Sequence, residues 1–282
     1  MLLWKLLITG ALSGLVLGSI LMMVVVYRLA PLLQSRRQRS LRDQHQMPIP
    51  RFGGVGMAWA FFGAVGLLVW LPFEERGLGL EMLPQNRFWG LLFGALLAWG
   101  IGFADDVWTL RARWKLLGQI SLGFLAVYFG FSIESIEGPF FQKMDLGFWA
   151  IPLSVLWIVG IINAINLIDG LDGLASGITL VILITLSWLA HEMGKIELML
   201  LMVVLIGSVV SFLSFNRPPA SIFMGDSGSY FLGYLVAILS IWVCEKSSGN
   251  VSLFPLLILA VPIIDTTFSI FRRFLKGIPF YS

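Results

Sequence analysis

Long apolar runs separated by short polar islands make up this chain. Runs long enough to cross a bilayer recur nine times, at residues 6–30, 53–72, 88–104, 115–131, 148–168, 173–190, 197–215, 222–243 and 252–273, since a spanning helix needs roughly 17–25 residues. The pattern predicts an all-α, polytopic integral membrane helix bundle with about nine transmembrane helices. No soluble domain, low-complexity tract or helical repeat interrupts it, so residues 1–282 read as one transmembrane domain. The first run, from Leu6 to Val26, is longer than a signal-peptide core. Arginines follow it and no small-residue cleavage site ends it, so it predicts a retained helix.

Composition narrows the class. The chain is 58% hydrophobic and 12% charged, whereas soluble domains are about a quarter charged. A soluble protein is excluded. The net charge of +3 is too small and too localised for a nucleic-acid partner. The one cysteine, Cys244, cannot form an internal disulfide and reads as a packing residue. Charge also predicts orientation. With the N-terminus outside, alternation puts Arg28, the arginines from Arg36 to Arg42, Arg51, Arg111, Arg113, Lys115, Arg217, Arg272, Arg273 and Lys276 on the inner side, together with the C-terminus. Every glutamate then falls outside, and the inner loops carry aspartates.

Those aspartates are not scattered. Three islands, Phe103–Asp106 (FADD), Asn163–Gly173 (NAINLIDGLDG) and Phe223–Ser229 (FMGDSGS), place Asp105, Asp106, Asp169, Asp172 and Asp226 at the ends of membrane-length segments. An ionisable group there is costly unless it lines a wet, functional cavity. Adjacent carboxylates such as Asp105 and Asp106 stay ionised together only beside a cation, and Mg²⁺ takes one or two carboxylates plus phosphate oxygens and water. A pair of solvated loop charges is the plainer alternative. Asn163, Asn166, Asp169 and Asp172 step by three along a helix that Gly170 and Gly173 break. Ligand contact and a structural polar stripe are both open for them. The Gly and Ser residues around Asp226 open a helix whose N–H groups can face phosphate, or simply cap the helix. Asn216, Arg217 and Phe223 stand next to it. Asp265 lies inside the last run, and a helix-packing hydrogen bond is as open to it as a functional role. Arg51 and His45 belong to a Pro- and Gly-fixed loop before the second run, where Arg51 can face phosphate.

The segments PRFGG, GFADD with KLLGQ, NAINLIDGLDGLASG, FNRPPASIFMGDSGSYFLG and VPIIDTTFSIFRR, in this order, resemble the polyprenyl-phosphate N-acetylhexosamine-1-phosphate transferases, the family of MraY, WecA and TagO. The resemblance runs from about Pro48 to Ser282 and looks closest to the WecA/TagO-like branch, on NLIDGLDG and FNRPPA. It implies that a polyprenyl (undecaprenyl) phosphate attacks the β-phosphorus of a UDP-N-acetylhexosamine, with GlcNAc as the expected sugar. UMP leaves, and a lipid-linked sugar pyrophosphate forms on the cytoplasmic face to begin a cell-envelope glycan. It implies Mg²⁺ as cofactor, with Mn²⁺ as an alternative, and a homodimer. Carried over by motif, Asp226 is a principal Mg²⁺ ligand, with Asp106 as a further one, and Asp105 or Asp106 positions or deprotonates the lipid phosphate. Asn163, Asn166, Asp169 and Asp172 contact the nucleotide sugar, Asn216 and Phe223 lie near the uridine, and Lys115 faces phosphate.

Two departures qualify the resemblance. Gln46 and Met47 stand where MraY-like chains have a lysine, and Leu110 stands four residues after Asp106 where another is expected, which argues against the peptide-bearing substrate. The family's histidine-rich loop after the RR segment is not reached before Ser282, so the resemblance implies a domain lacking its C-terminal end. The competing readings are an ion-coupled transporter and an inactive scaffold of the same family. The transporter predicts acids near the bilayer midplane and inverted repeats.

Overall fold

The computed structural model describes residues 2–29, 49–70, 80, 83–138, 141–245, 251–252 and 254–275. The helices are α1 (Leu2–Val24, continued by a π turn at Val25–Leu29), α2 (Gly53–Trp70), α3 (Gln85–Trp108), α4 (Ala112–Tyr128), α5 (Ala150–Ile168), α6 (Leu174–Glu192), α7 (Ile196–Asn216), α8 (Gly225–Cys244), α9 (Phe254–Ile258) and α10 (Ala260–Leu275). Each of the nine predicted runs holds a helix. Among the described residues, seven helices are long and apolar enough to cross a membrane, so the chain is a multi-pass, all-α membrane bundle. The 17 residues of α4 and the 16 of α10 are shorter. The last run divides into α9 and α10 around Leu259, four residues after Pro255.

Local sequence explains the breaks. Pro84 precedes the first residue of α3, where a missing N–H costs nothing. Gly173 at φ +74° and Gly194 at φ +70° make the left-handed turns that begin α6 and follow it. A three-stranded sheet, which the apolar pattern did not predict, joins β1 (Ser135–Gly138), β2 (Phe141–Asp145) and β3 (Val251–Ser252) in the order β2-β1-β3.

Helix α8 is the axis of the bundle. It packs against α2, α3, α5 and α6, and every residue from Ser227 to Cys244 is buried. A helix apolar all round belongs in a protein interior. Its backbone runs close to its neighbours where glycine permits. A Cβ on Gly233 would lie 2.6 Å from Ile162 Cα, and one on Gly228 would lie 2.9 Å from Gly54 Cα. Helix α1 packs on α2, and on α7 backbone to backbone through Gly14 and Gly207.

The C-terminal end of α8 is buried, so its last carbonyls need donors. Lys195, in the turn between α6 and α7, supplies them. Its ammonium donates to Trp242 O at 2.8 Å, to Val243 O at 3.0 Å and to Glu245 O. Arg87, in the first turn of α3, donates to both carboxylate oxygens of Glu245 and lies over the Phe131 ring at 5.8 Å. A cation at a helix C-terminus also complements the helix dipole. Lys195→Met is expected to leave these carbonyls unpaired and to lower stability by about 1–3 kcal/mol. Thermal unfolding of the detergent-solubilised protein checks this, and Lys195→Arg should recover part of the loss.

Candidate active site

Five polar segments meet at the end of the bundle opposite Lys195 and Arg87. The contact begins with backbone. Phe223 N donates to Pro50 O at 2.8 Å, Gly53 N donates to Phe223 O at 2.9 Å, and Gly54 N donates to Met224 O at 2.9 Å. These bonds lay the PRFGG segment along FMGDSG. Glycines let the helices close further. A Cβ on Gly102 would strike the Asp226 carbonyl, and one on Gly54 would strike Gly228 N. Gly225, at φ +74°, turns the chain into α8, and a Cβ there would lie only 2.7 Å from an Asp106 carboxylate oxygen, so its absence leaves that carboxylate room.

Asp105 and Asp106, in the last turn of α3, are both buried and do different work. Asp106 accepts the Asp226 N–H and the Ser227 N–H, each at 2.9 Å, one on each oxygen. It therefore caps α8 from another helix, and an anion there suits the helix dipole. Asp105 accepts the Leu110 N–H at 2.6 Å on one oxygen and pairs with the Lys115 ammonium through the other. Lys115 bonds at the same time to Asp226 at 3.0 Å. The second Asp226 oxygen accepts the Asn166 amide at 3.0 Å, and that amide also donates to Ser229 Oγ at 2.8 Å. Asp105, Lys115, Asp226 and Asn166, from four helices, thus form one charged cluster.

Asp169, half-buried just past the end of α5, lies beside it. Burial, then the Asp226 and Asp106 charges, push its carboxyl well above the ordinary aspartate value, against the pull of Arg51. Asp172 and Asn216 tie two loops together. Asp172 accepts the Ala220 N–H at 3.0 Å, while Asn216 accepts the Gly173 N–H at 3.0 Å and donates to Ile222 O at 2.9 Å. Asn163 faces Gln119, to which its amide donates at 2.6 Å, and it also donates to Val159 O at 2.8 Å. Phe223 is partly exposed at the edge of the cluster. Asp265 is exposed on α10, and among the described residues no hydrogen bond or ion pair joins it to the cluster. His45 lies outside the described residues.

The structure therefore divides the expected residues. Asp105, Lys115, Asn166 and Asp226 make the charged centre, with Asp106, Asp169 and Arg51 against it. Asn163, Asp172 and Asn216 bond within the protein, next to that centre. Gln119, 1% exposed, was not singled out from sequence. Its spacing of four from Lys115 puts both on one face of α4 and was the available signal. Among the described residues no three His, Cys, Asp or Glu side chains surround one point. Two carboxylates from different helices already converge on one cation, however, the Lys115 ammonium. That hard-oxygen pair fits an ion such as Mg²⁺, which needs few protein ligands when phosphates complete its shell.

Residues 88–244 match the model of Glycosyl transferase family 4, and the chain belongs to that family. It is 39% identical, over 90% of its own length and 68% of the relative's, to the probable undecaprenyl-phosphate N-acetylglucosaminyl 1-phosphate transferase of Bacillus subtilis. It is 34% identical to the phospho-N-acetylmuramoyl-pentapeptide-transferase of Listeria welshimeri, over 74% of this chain and 67% of that one. Identity to the enzyme of the same name from Latilactobacillus sakei is 31%, over 71% of this chain and 63% of that one. The chain thus spans about two thirds of the length of these relatives.

The raised Asp169 carboxyl predicts a pH effect. Stability from this group is complete below the unfolded value, about 3.9, and is lost as pH rises through the higher folded value. Asp169→Asn cannot ionise. Its unfolding midpoint should exceed wild type by about 2–4 °C at pH 8, with the gain absent at pH 4, as thermal scans at the two pH values would read. The Gln119–Asn163 pair predicts coupling. Gln119→Leu and Asn163→Leu each remove one partner of this amide pair and should cost about 1–3 kcal/mol. The double variant should cost less than the sum of the two, as a double-mutant cycle on unfolding would show.

Proposed function

We propose that this protein transfers N-acetylhexosamine-1-phosphate, with GlcNAc as the sugar, from a UDP-sugar to undecaprenyl phosphate at the cytoplasmic face of the cell membrane, releasing UMP. The observation that carries the reading is the Asp105–Lys115–Asp226–Asn166 cluster at the membrane end of a bundle in this family. The name of the Bacillus subtilis relative supplies the sugar and the lipid acceptor.

In this reaction an oxygen of the lipid phosphate forms a bond to the β-phosphorus, and the bond from that phosphorus to the bridging oxygen breaks, leaving with UMP. Catalysis of phosphoryl transfer is mainly positioning and charge stabilisation. Asp226 and Asp105 would hold Mg²⁺, which when bound neutralises charge on the pyrophosphate and the departing UMP. Asp106 spends both oxygens on the α8 amides, so its part is to hold Asp226 in place. The exposed Arg111, Arg113 and Arg217 flank the site and suit anionic substrates. Asn166 orients the Asp226 carboxylate. Asp172 and Asn216 shape the loops that would receive the nucleotide.

An apolar cavity of about 550 Å³ supports the lipid acceptor. Leu153, Leu156, Trp157, Gly160, Ile161 and Ala164 of α5 line it, opposite α9 and α10. These residues span about 16 Å of helix at 1.5 Å per residue, and Ala164 is two residues from Asn166. A prenyl chain lying there would bring its phosphate to the charged end. The transporter reading loses its motive, because the carboxylates occupy helix ends: Asp105 and Asp106 the last turn of α3, Asp226 the first turn of α8.

The test is incubation of the purified protein with Mg²⁺, undecaprenyl phosphate and labelled UDP-GlcNAc. UMP and labelled lipid are expected. Chelation should abolish both, and Asp226→Asn should lower turnover about 10²–10³-fold. A variant working near the wild-type rate with ordinary Mg²⁺ dependence overturns the role given to Asp226.

A further inference from the structure

Lys115 sits between the two carboxylates, Asp105 and Asp226, that would hold a divalent ion. Asp105 and Asp226 come from α3 and α8, and each offers one oxygen to the same ammonium. Their remaining oxygens are engaged by neutral donors, the Leu110 N–H at 2.6 Å and the Asn166 amide at 3.0 Å. The two oxygens facing Lys115 are thus held in place by groups other than Lys115. The ammonium arrives on a flexible four-carbon stem from the first turn of α4, where Arg113, Trp114, Leu116 and Leu117 are all exposed. It can withdraw without moving the helix. Charge favours exchange. One ammonium leaves a surplus negative charge on the two carboxylates, whereas a divalent cation balances both, and two carboxylates this close both stay ionised only beside a cation.

We propose that Lys115 is a placeholder cation. It neutralises the Asp105–Asp226 pair before a divalent ion arrives, and the ion displaces it toward the exposed rim occupied by Arg111 and Arg113. Lys115 and the metal compete for one site, so the Asp105–Asp226 pair faces a cation at the membrane edge in both states. This inference rests on the metal-dependent reading above, but its tests require no turnover.

The first test is Mn²⁺ binding to the purified full chain, read by the loss of free-ion electron paramagnetic resonance signal. Lys115→Met should bind Mn²⁺ about tenfold more tightly than wild type, the scale of one ion pair that need not be broken. Lys115→Arg, which retains a charge in a bidentate fork, should bind more weakly than Lys115→Met. The second test uses wild type alone and so does not depend on a variant folding. A water-soluble amine-acylating reagent is applied with and without Mg²⁺, and modified lysines are located by mass spectrometry. Mg²⁺ should raise modification of Lys115 several-fold and leave that of Lys143, which pairs with Asp145 on β2, unchanged. Equal or weaker Mn²⁺ binding by Lys115→Met, or unchanged Lys115 modification in a protein that binds Mn²⁺, overturns the placeholder. Absence of Mn²⁺ binding in every form overturns the metal-dependent reading as well.

Discussion

A helix buried along nearly its whole length must have both its ends satisfied by protein, and α8 is such a helix. Its N-terminal amides at Asp226 and Ser227 are taken by the Asp106 carboxylate, and its last carbonyls by the Lys195 ammonium. Unpaired groups at that depth cost several kcal/mol each. The two signs also match the helix dipole, negative at the start and positive at the end. Helices α2, α3, α5 and α6 gather round this satisfied axis. Glycines at 54, 102, 225 and 228 are needed because backbone, not side chains, meets at its first turn.

The charged cluster inherits its geometry from that cap. Because Asp106 grips the amide of Asp226 itself, the Asp226 side chain leaves α8 at a fixed place. The neighbouring Asp105 leaves α3 on the other side of the same gap. Two adjacent residues thereby divide the labour, one fixing the helix and one facing the cation. Asn166 and Lys115, from α5 and α4, close the cluster. The Gln119–Asn163 pair joins those same two helices one turn deeper. The opposite end uses charge differently: Arg87 pairs with the Glu245 carboxylate just past α8 and Lys195 bonds the last α8 carbonyls, which is a structural use of charge.

The apolar periods and the polar islands already contained the membrane bundle, its helical segments and the acidic residues that gather at one end of it. Hydrophobic length sets spanning helices directly, and aspartates at such depth are too costly to be incidental, so Asp105, Asp106, Asp169 and Asp226 stood out unaided. Partnership was not legible. Whether a carboxylate faces an amide or a cation depends on which helix lies across from it. No spacing within one helix reveals that Asp106 caps α8 while Asp105 meets Lys115. Gln119 and Lys195 were passed over for the same reason, since their partners, Asn163 and the α8 carbonyls, are more than 40 residues away. The small sheet of β1, β2 and β3 was missed because its strands are too short to impose a period. Sequence alone therefore determined what crosses the membrane and which residues carry charge. Only the tertiary structure decided which carboxylate caps a helix and which faces another charge, because that distinction lies in distances between helices.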